Sequence, residues 1–348
     1  MVRGPLHGIA RYALELARRL PQLAPGWQFI GLVGPEGVPD ELGELTPRIP
    51  LEKSLGGFLS AVEQPALLAS LLKVRPDLFH ATSFSLPALW SGRLVATLHD
   101  ATHLALKEDQ TPVQAAYYRV VVGPRAKRAA ALLTVSEFSR RELARHLGVS
   151  EYRLQVIPNG VDALFRTSSP AELDDFRRRR GLPARYFAAI GNPKPHKNLS
   201  LLLPILDALP APLALLAGRG ARRALRMPET VIELSPLSDA DLALFYGGAV
   251  AVMVPSRYEG FGLPALEALA CGAPVIASSA GAHPEVTGSA AVLVPPDDPA
   301  PWLEAAQQLF RDAALRARLA EAGKERAARY SWDDCARKTL EVYRRALG

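Results

Sequence analysis

Short apolar runs rich in Val, Ile, Leu and Phe return along the whole chain, each followed by a segment with helical spacing of its apolar residues. In the first half they are Gln28 to Val33, Leu78 to Ala81, Leu94 to Leu98, Ala131 to Val135 and Leu154 to Ile157. The second half repeats the pattern with Tyr186 to Ile190, Leu213 to Ala217, Val231 to Leu234, Val250 to Val254, Pro274 to Ala277 and Ala291 to Val294. Continuous apolar runs of this length suit strands buried on both faces, and their alternation with helices predicts an α/β chain of parallel, doubly wound sheets. At 348 residues the chain suits two cores. The polar stretch Thr167-Ser168-Ser169-Pro170, followed by an arginine-rich helical segment, places the linker region between Asp162 and Pro183. The expected domains are 1–168 and 169–329, with 330–348 as a closing amphipathic helix. The stretch from Leu199 to Gly218 reads as a helix followed by a buried strand, because Asp207 and three prolines argue against a membrane span.

The chain opens almost at once with Gly4-Pro5-Leu6-His7-Gly8 and a helical pattern from Ile9 to Leu20. A doubly wound domain normally feeds such a glycine loop from a strand, and Met1 to Arg3 is too short to supply one. The expectation is that the natural chain starts upstream or that its first strand is truncated. Arg3, His7 and Arg11 interrupt the apolar core that a secretory signal would need, and the two cysteines, Cys271 and Cys335, lack the spacing of a disulfide framework or zinc site. A cytoplasmic protein is expected, with peripheral contact to an anionic inner membrane face as an option. The formal charge of +6 and runs such as Arg177 to Arg180 suit that option or plain solvated helix faces, and nucleic acid is not expected as a partner.

The segment with the most chemistry is Pro255-Ser256-Arg257-Tyr258-Glu259-Gly260-Phe261-Gly262-Leu263-Pro264-Ala265-Leu266-Glu267. It follows a strand, turns through glycines and enters a helix, so unpaired backbone N–H groups at a positive helix end would face a ligand. Gly260 and Gly262 permit a close backbone approach. Glu259 before the turn and Glu267 inside the helix allow one carboxylate to meet a sugar and the other a ribose diol. A second strand-to-helix loop, Gly191-Asn192-Pro193-Lys194-Pro195-His196-Lys197-Asn198, offers Lys197 to neutralise a departing diphosphate. Thr97-Leu98-His99-Asp100 puts His99 at a strand's carboxyl end, where ligands of open α/β sheets bind, with His80 and His103 as weaker neighbours. Asp239-Ala240-Asp241 has metal-diphosphate spacing but reads, after Ser238, as a helix cap and first turn; no metal is assigned.

These motifs resemble the retaining GT-B glycosyltransferases often called family four, whose hallmark is two glutamates separated by seven residues within E-G-F-G-L-P-x-x-E. The likeness extends to Thr134-Val135-Ser136-Glu137-Phe138-Ser139 and Val156-Ile157-Pro158-Asn159-Gly160-Val161-Asp162, whose residue types also describe helix starts, caps and turns. The resemblance implies two Rossmann-like domains facing a central cleft, the first for the acceptor and the second for a nucleotide-sugar donor, with the last helix crossing back to the first domain. It implies Glu259, His99 and Lys197 as catalytic residues. Donor binding falls to Gly8, Gly191, His196, Leu234, Gly260, Phe261, Gly262, Leu263 and Glu267. His99 would contact the transferred sugar, and Leu234 to Ser238 would hold the base. Relatives commonly read Arg-Lys where this chain has His196-Lys197, which puts bidentate phosphate binding in doubt.

The implied reaction is metal-independent transfer of mannose or another hexose from a GDP-, UDP- or ADP-sugar to a glycan or lipid-linked acceptor, with no cofactor, in bacterial surface-polysaccharide or glycolipid assembly. No side chain stands out as a covalent nucleophile, so the resemblance favours a front-face route in which the leaving diphosphate takes the acceptor proton. The rivals are a sugar phosphorylase, a nucleotide-sugar epimerase and a non-catalytic sugar-nucleotide binding protein. A dinucleotide oxidoreductase is disfavoured because neither Gly218-Arg219-Gly220 nor Gly260-Phe261-Gly262 completes G-x-G-x-x-G.

Overall fold

The computed structural model describes residues 8–34, 49–54, 56, 60, 62–106 and 111–348. Gly4 to His7, most of the opening glycine loop, lie outside the described residues. The chain divides into two compact units, Met1–Gly160 with Trp332–Gly348, and Val161–Ser331.

Unit 1 holds six strands in two sheets. β1 (Gly31–Val33) pairs in parallel with β2 (Leu51–Lys53). β3 (Leu78–Ala81), β4 (Arg93–Thr97), β5 (Ala131–Thr134) and β6 (Leu154–Val156) form a parallel sheet in chain order. The interior strands β4 and β5 are buried over nearly their whole length, as strands covered by helices on both faces must be. The closing helix Trp332–Leu347 packs against the first helix, Gly8–Leu23, and against β3 and β4. Between them runs a buried polar chain: Tyr12 Oη meets Thr97 Oγ1 at 2.9 Å, Thr97 Oγ1 meets His80 Nε2 at 2.8 Å, and His80 Nδ1 reaches Tyr343 Oη.

Unit 2 is built on one six-stranded parallel sheet: β7 (Phe187–Ile190), β8 (Leu213–Leu216), β9 (Ile232–Glu233), β10 (Ala251–Val254), β11 (Val275–Ser278) and β12 (Val292–Val294). Its order is β12-β11-β10-β7-β8-β9, so the first strand lies in the middle and the connections leave it in opposite directions. β10 and β11 are buried at every position, whereas the edge strands β9 and β12 are partly exposed. One face packs Leu199, Leu202, Ile205, Trp302 and Leu309 into a common core. Trp302 is fully buried, and its indole N–H donates to the Pro295 carbonyl at 2.8 Å.

The apolar runs read from the sequence all become strands, shortened by a residue or more at their ends, and β2 is an addition. Gln28 to Ile30, expected in the first strand, stays irregular. Leu199–Ala208 is a 3-10 helix where an α-helix was expected. Pro204 removes a donor and crowds the preceding turn, which accounts for the tighter winding. Asn159-Gly160-Val161-Asp162 starts no helix: Val161 bridges to Ser331, and the Asp162 carboxylate accepts from the Leu164 N–H at 2.9 Å in a turn. Ser136 and Ser238 are N-caps, accepting from the Ser139 and Asp241 N–H groups at 3.0 and 3.2 Å.

Replacing Trp302 with Ala should destabilise unit 2 by roughly 3–5 kcal/mol, the usual cost of deleting a buried large side chain. Urea unfolding followed by far-UV circular dichroism would show it; an unchanged midpoint would mean that this core is not what holds the sheet's edge.

Candidate active site

In an open parallel sheet the loops after two central strands part where the strand order reverses, leaving a crevice at the carboxyl ends. In unit 2 that place lies between β7 and β10. The loop after β7 carries Gly191, His196, Lys197 and Asn198, and the loop after β10 carries Ser256 to Gly262.

The two loops are tied together by polar contacts. Lys197, at the end of the 3-10 turn Pro195–Lys197, places Nζ 2.7 Å from Glu259 Oε2. The Arg257 N–H donates to the His196 carbonyl at 2.8 Å. Asn198, in the left-handed region at φ 55°, donates through Nδ2 to the carbonyls of Pro255 at 3.1 Å and Pro296 at 2.7 Å. A third loop, after β11, fixes the glutamate's backbone, because the Ala282 N–H donates to the Glu259 carbonyl at 2.9 Å. Gly281 next to it has φ 66°, and a Cβ there would sit 2.8 Å from Glu259 N. Only glycine meets both conditions.

The helix Leu263–Ala270 begins at Gly262, whose φ of 93° turns the chain from the Glu259 loop into the helix. Pro264 in the first turn removes one backbone donor, and the Ala265 and Leu266 N–H groups fold back onto the Gly262 carbonyl. The positive helix end therefore faces the loop that bears Lys197 and Glu259. Phe261 spends its ring on packing, edge-on to Tyr330 at 5.6 Å between centroids. Glu267, in the middle of this helix, is 6% exposed and accepts from Tyr246 Oη at 3.1 Å.

Burial alone would push the Glu259 carboxyl up. Attraction to Lys197, aided by His283 and His196, outweighs that and holds it below the ordinary carboxylate range. His283 is fully buried beside Gly262, whose Cβ position lies 2.9 Å from its Cδ2. Desolvation lowers its pKa against the opposing attraction of Glu259, so it is a neutral imidazole near pH 7.

The structure thus brings together Gly191, His196, Lys197, Glu259, Gly260, Phe261, Gly262 and Leu263 around one crevice, with Glu267 in the helix behind it. Leu234 is buried at the carboxyl end of the edge strand β9, with its N–H bonded to the Leu215 carbonyl at 2.9 Å. His99 and Gly8 belong to unit 1. His99 follows β4, is 7% exposed, faces the Thr82 carbonyl through Nε2 at 3.0 Å and meets the Tyr12 ring edge-on at 4.8 Å. Burial lowers its pKa. Gly8 is the exposed first residue of its helix. His80 has both ring nitrogens engaged by Thr97 and Tyr343 and its pKa lowered to about 3 by burial, so it is a structural group of the core. The Asp241 carboxylate is held by Arg179 at 3.2 Å and by Arg180. Arg177 and Arg178 pair with Asp174 and Asp175, so the arginine run is neutralised locally. Among the described residues no helix is long and apolar enough to cross a membrane.

Asn198, Gly281, His283 and Tyr246 were not singled out from the sequence. Asn198 directly follows Lys197, and an asparagine next to a loop lysine gives no sign that it bridges two other loops. Gly281 belongs to Ser279-Ala280-Gly281, an ordinary turn composition.

Replacing Lys197 with Met leaves Glu259 buried without its main partner, costing roughly 3 kcal/mol at pH 7. The wild-type carboxyl has a lowered pKa, so its contribution is present above the ordinary carboxylate range and lost as pH falls through the lowered value. In the variant, burial raises the pKa and the charged form is penalised at pH 7. The stability gap between the two proteins should therefore narrow from pH 7 to pH 4; a gap independent of pH in urea unfolding would refute the pairing.

Comparison with known proteins agrees with this geometry. The family model described as glycosyl transferases group 1 matches residues 173–326, and that described as glycosyltransferase family 4 matches residues 6–163. The O-antigen chain mannosyltransferase B of Escherichia coli is 28% identical over 99% of this chain and 97% of its own length. A D-inositol 3-phosphate glycosyltransferase from a Nocardioides species is 31% identical over 74% of this chain and 63% of its own length. Among solved structures, Anabaena HepE in complex with UDP-glucose superposes with a TM-score of 0.80 at 20% identity, covering 99% of this chain and 98% of that one. Sucrose-phosphate synthase from Thermosynechococcus elongatus gives 0.79 at 21% identity, covering 97% and 93%. With both halves matched and the fold shared, the chain belongs to the GT-B glycosyltransferases of family four and is a hexosyltransferase.

Proposed function

We propose that unit 2 binds a nucleoside diphosphate sugar at the β7–β10 crevice and that the enzyme transfers its hexose to an acceptor hydroxyl with retention at the anomeric carbon. The observation that carries this reading is the Lys197–Glu259 pair, 2.7 Å apart, beside a helix that starts at Gly262. A cation and a helix N-terminus in one crevice suit a diphosphate. Glu259 suits the sugar hydroxyls and Glu267 the ribose diol, the latter held in orientation by Tyr246. His196 cannot supply the bidentate grip of an arginine, so the diphosphate rests on Lys197 and backbone N–H groups. His99 is assigned a contact to the transferred sugar, in line with the resemblance and with its place at a strand's carboxyl end.

In the reaction the bond from the anomeric carbon to the diphosphate oxygen breaks as the bond to the acceptor oxygen forms on the same face. The acceptor proton passes to the leaving diphosphate, and Lys197 stabilises the charge that develops there. No metal is required in this scheme; Asp241, the candidate with metal-ligand spacing, is already paired with two arginines. The Escherichia coli relative is named for mannosyl transfer to an O-antigen chain, and HepE is in complex with UDP-glucose. Both support a sugar-nucleotide donor, and mannose transfer to a polysaccharide or lipid-linked acceptor is the reading we favour.

Incubation with GDP-mannose, UDP-glucose and ADP-glucose and a lipid-linked glycan should release free nucleoside diphosphate and form an α-linked product in the presence of EDTA. Lys197→Ala and Glu259→Ala should lower turnover by about 10²–10³-fold, the usual effect of removing one group that stabilises developing charge. Release that depends on added phosphate would indicate a phosphorylase, and wild-type turnover in either variant would overturn the site assignment.

A further inference from the structure

The two units invite an internal comparison. In unit 2 the first strand, β7, occupies the middle of its sheet between β10 and β8 and feeds the loop that carries Lys197. In unit 1 the described strands stop short of that arrangement. β1 and β2 form one sheet, β3 to β6 another, and among the described residues neither β1 nor β3 has a partner on its second edge. β3, whose place next to the middle would be buried in a complete sheet, is only partly buried at Leu78, Phe79 and His80.

A cavity of about 890 Å³ joins these two edges. It is lined on one side by Leu32 of β1 and on the other by Phe79 of β3, and covered by Leu14 of the first helix and by Leu67 and Leu71 of the helix Glu63–Val74. Only at the carboxyl end of β3, at Thr82, Ser83 and Ser85, does the lining turn polar. One inserted strand takes a slab about 4.8 Å wide and about 10 Å deep, so this volume holds roughly 19 Å of strand, or about six residues. An aqueous cavity of this size flanked by two open parallel edges is costly, since edge amides and apolar walls both lack partners.

We propose that this cavity is the seat of a further parallel strand, an apolar segment of the same polypeptide directly N-terminal to the glycine loop of residues 4–8. The direction follows from the topology: a parallel strand leading into the helix at Gly8 runs alongside β1 and β3 and leaves at their carboxyl ends, where the lining is polar. The length follows from the cavity. Six residues exceed Met1 to Arg3, so the greater part of the strand is encoded upstream of Met1. Its insertion merges the two sheets of unit 1 into one of seven strands in the order β2-β1-new-β3-β4-β5-β6.

Two measurements test this together. Intact-mass analysis of the protein isolated from its source should give a mass above that of residues 1–348 by several residues; a native chain beginning at Met1 would overturn the proposal. Hydrogen exchange should then compare the 348-residue chain with one extended by the in-frame upstream codons. Amides of Gly31–Val33 and Leu78–Ala81 should exchange at least about tenfold more slowly in the longer protein. Equal exchange in the two chains would reject the upstream strand, as would a dimer of the 348-residue chain with those amides protected, which would assign the cavity to a second copy.

Discussion

The reversal of strand order between β7 and β10 is the constraint on which the rest of unit 2 depends. Because connections leave these neighbours in opposite directions, their carboxyl ends are covered by no crossover helix, and whatever the two loops carry is left facing a crevice. The chain fills it with opposite charges. Lys197 and Glu259 neutralise one another at 2.7 Å, and the tie is reinforced from below by Asn198 and from the side by the Gly281 turn. A partly buried pair of this kind contributes little net stability once its desolvation is counted. Its place at the end of a sheet, beside a helix start, is explained by function better than by folding.

The same loops show how far residue types alone could be read. The strands of both units were recoverable, since a parallel sheet buried on both faces leaves continuous apolar runs that few other arrangements require. Glu259, Gly262 and Lys197 stood out because each follows such a run at a glycine or proline turn. Asn198 and Gly281 did not, because their roles are defined by partners distant in sequence: Asn198 bonds to Pro255 and Pro296, and Gly281 packs on Glu259. The 3-10 winding of Leu199–Ala208 was hidden for a different reason, since apolar residues at helical spacing fit either helix and only Pro204 distinguishes them.

Unit 1 carries a different kind of information. Its histidines are not equivalent, although sequence places both at strand ends. His80 is consumed by hydrogen bonds within the core, whereas His99 makes one contact to a backbone carbonyl and has Tyr12 against its ring. Burial keeps both neutral near pH 7, so neither acts as a cation toward a phosphate in the resting protein. The diphosphate is therefore left to unit 2, where the cation and the helix end reside together.

The central claim is that the helix start at Gly262, with Lys197, Glu259 and Glu267, holds an activated sugar. A crystal structure of the protein grown with an intact donor nucleotide sugar tests it most directly. The account predicts diphosphate density against Lys197 and the helix end, the hexose at Glu259 and the ribose at Glu267. Clear nucleotide density elsewhere, with these side chains still bonded as described above, would contradict it.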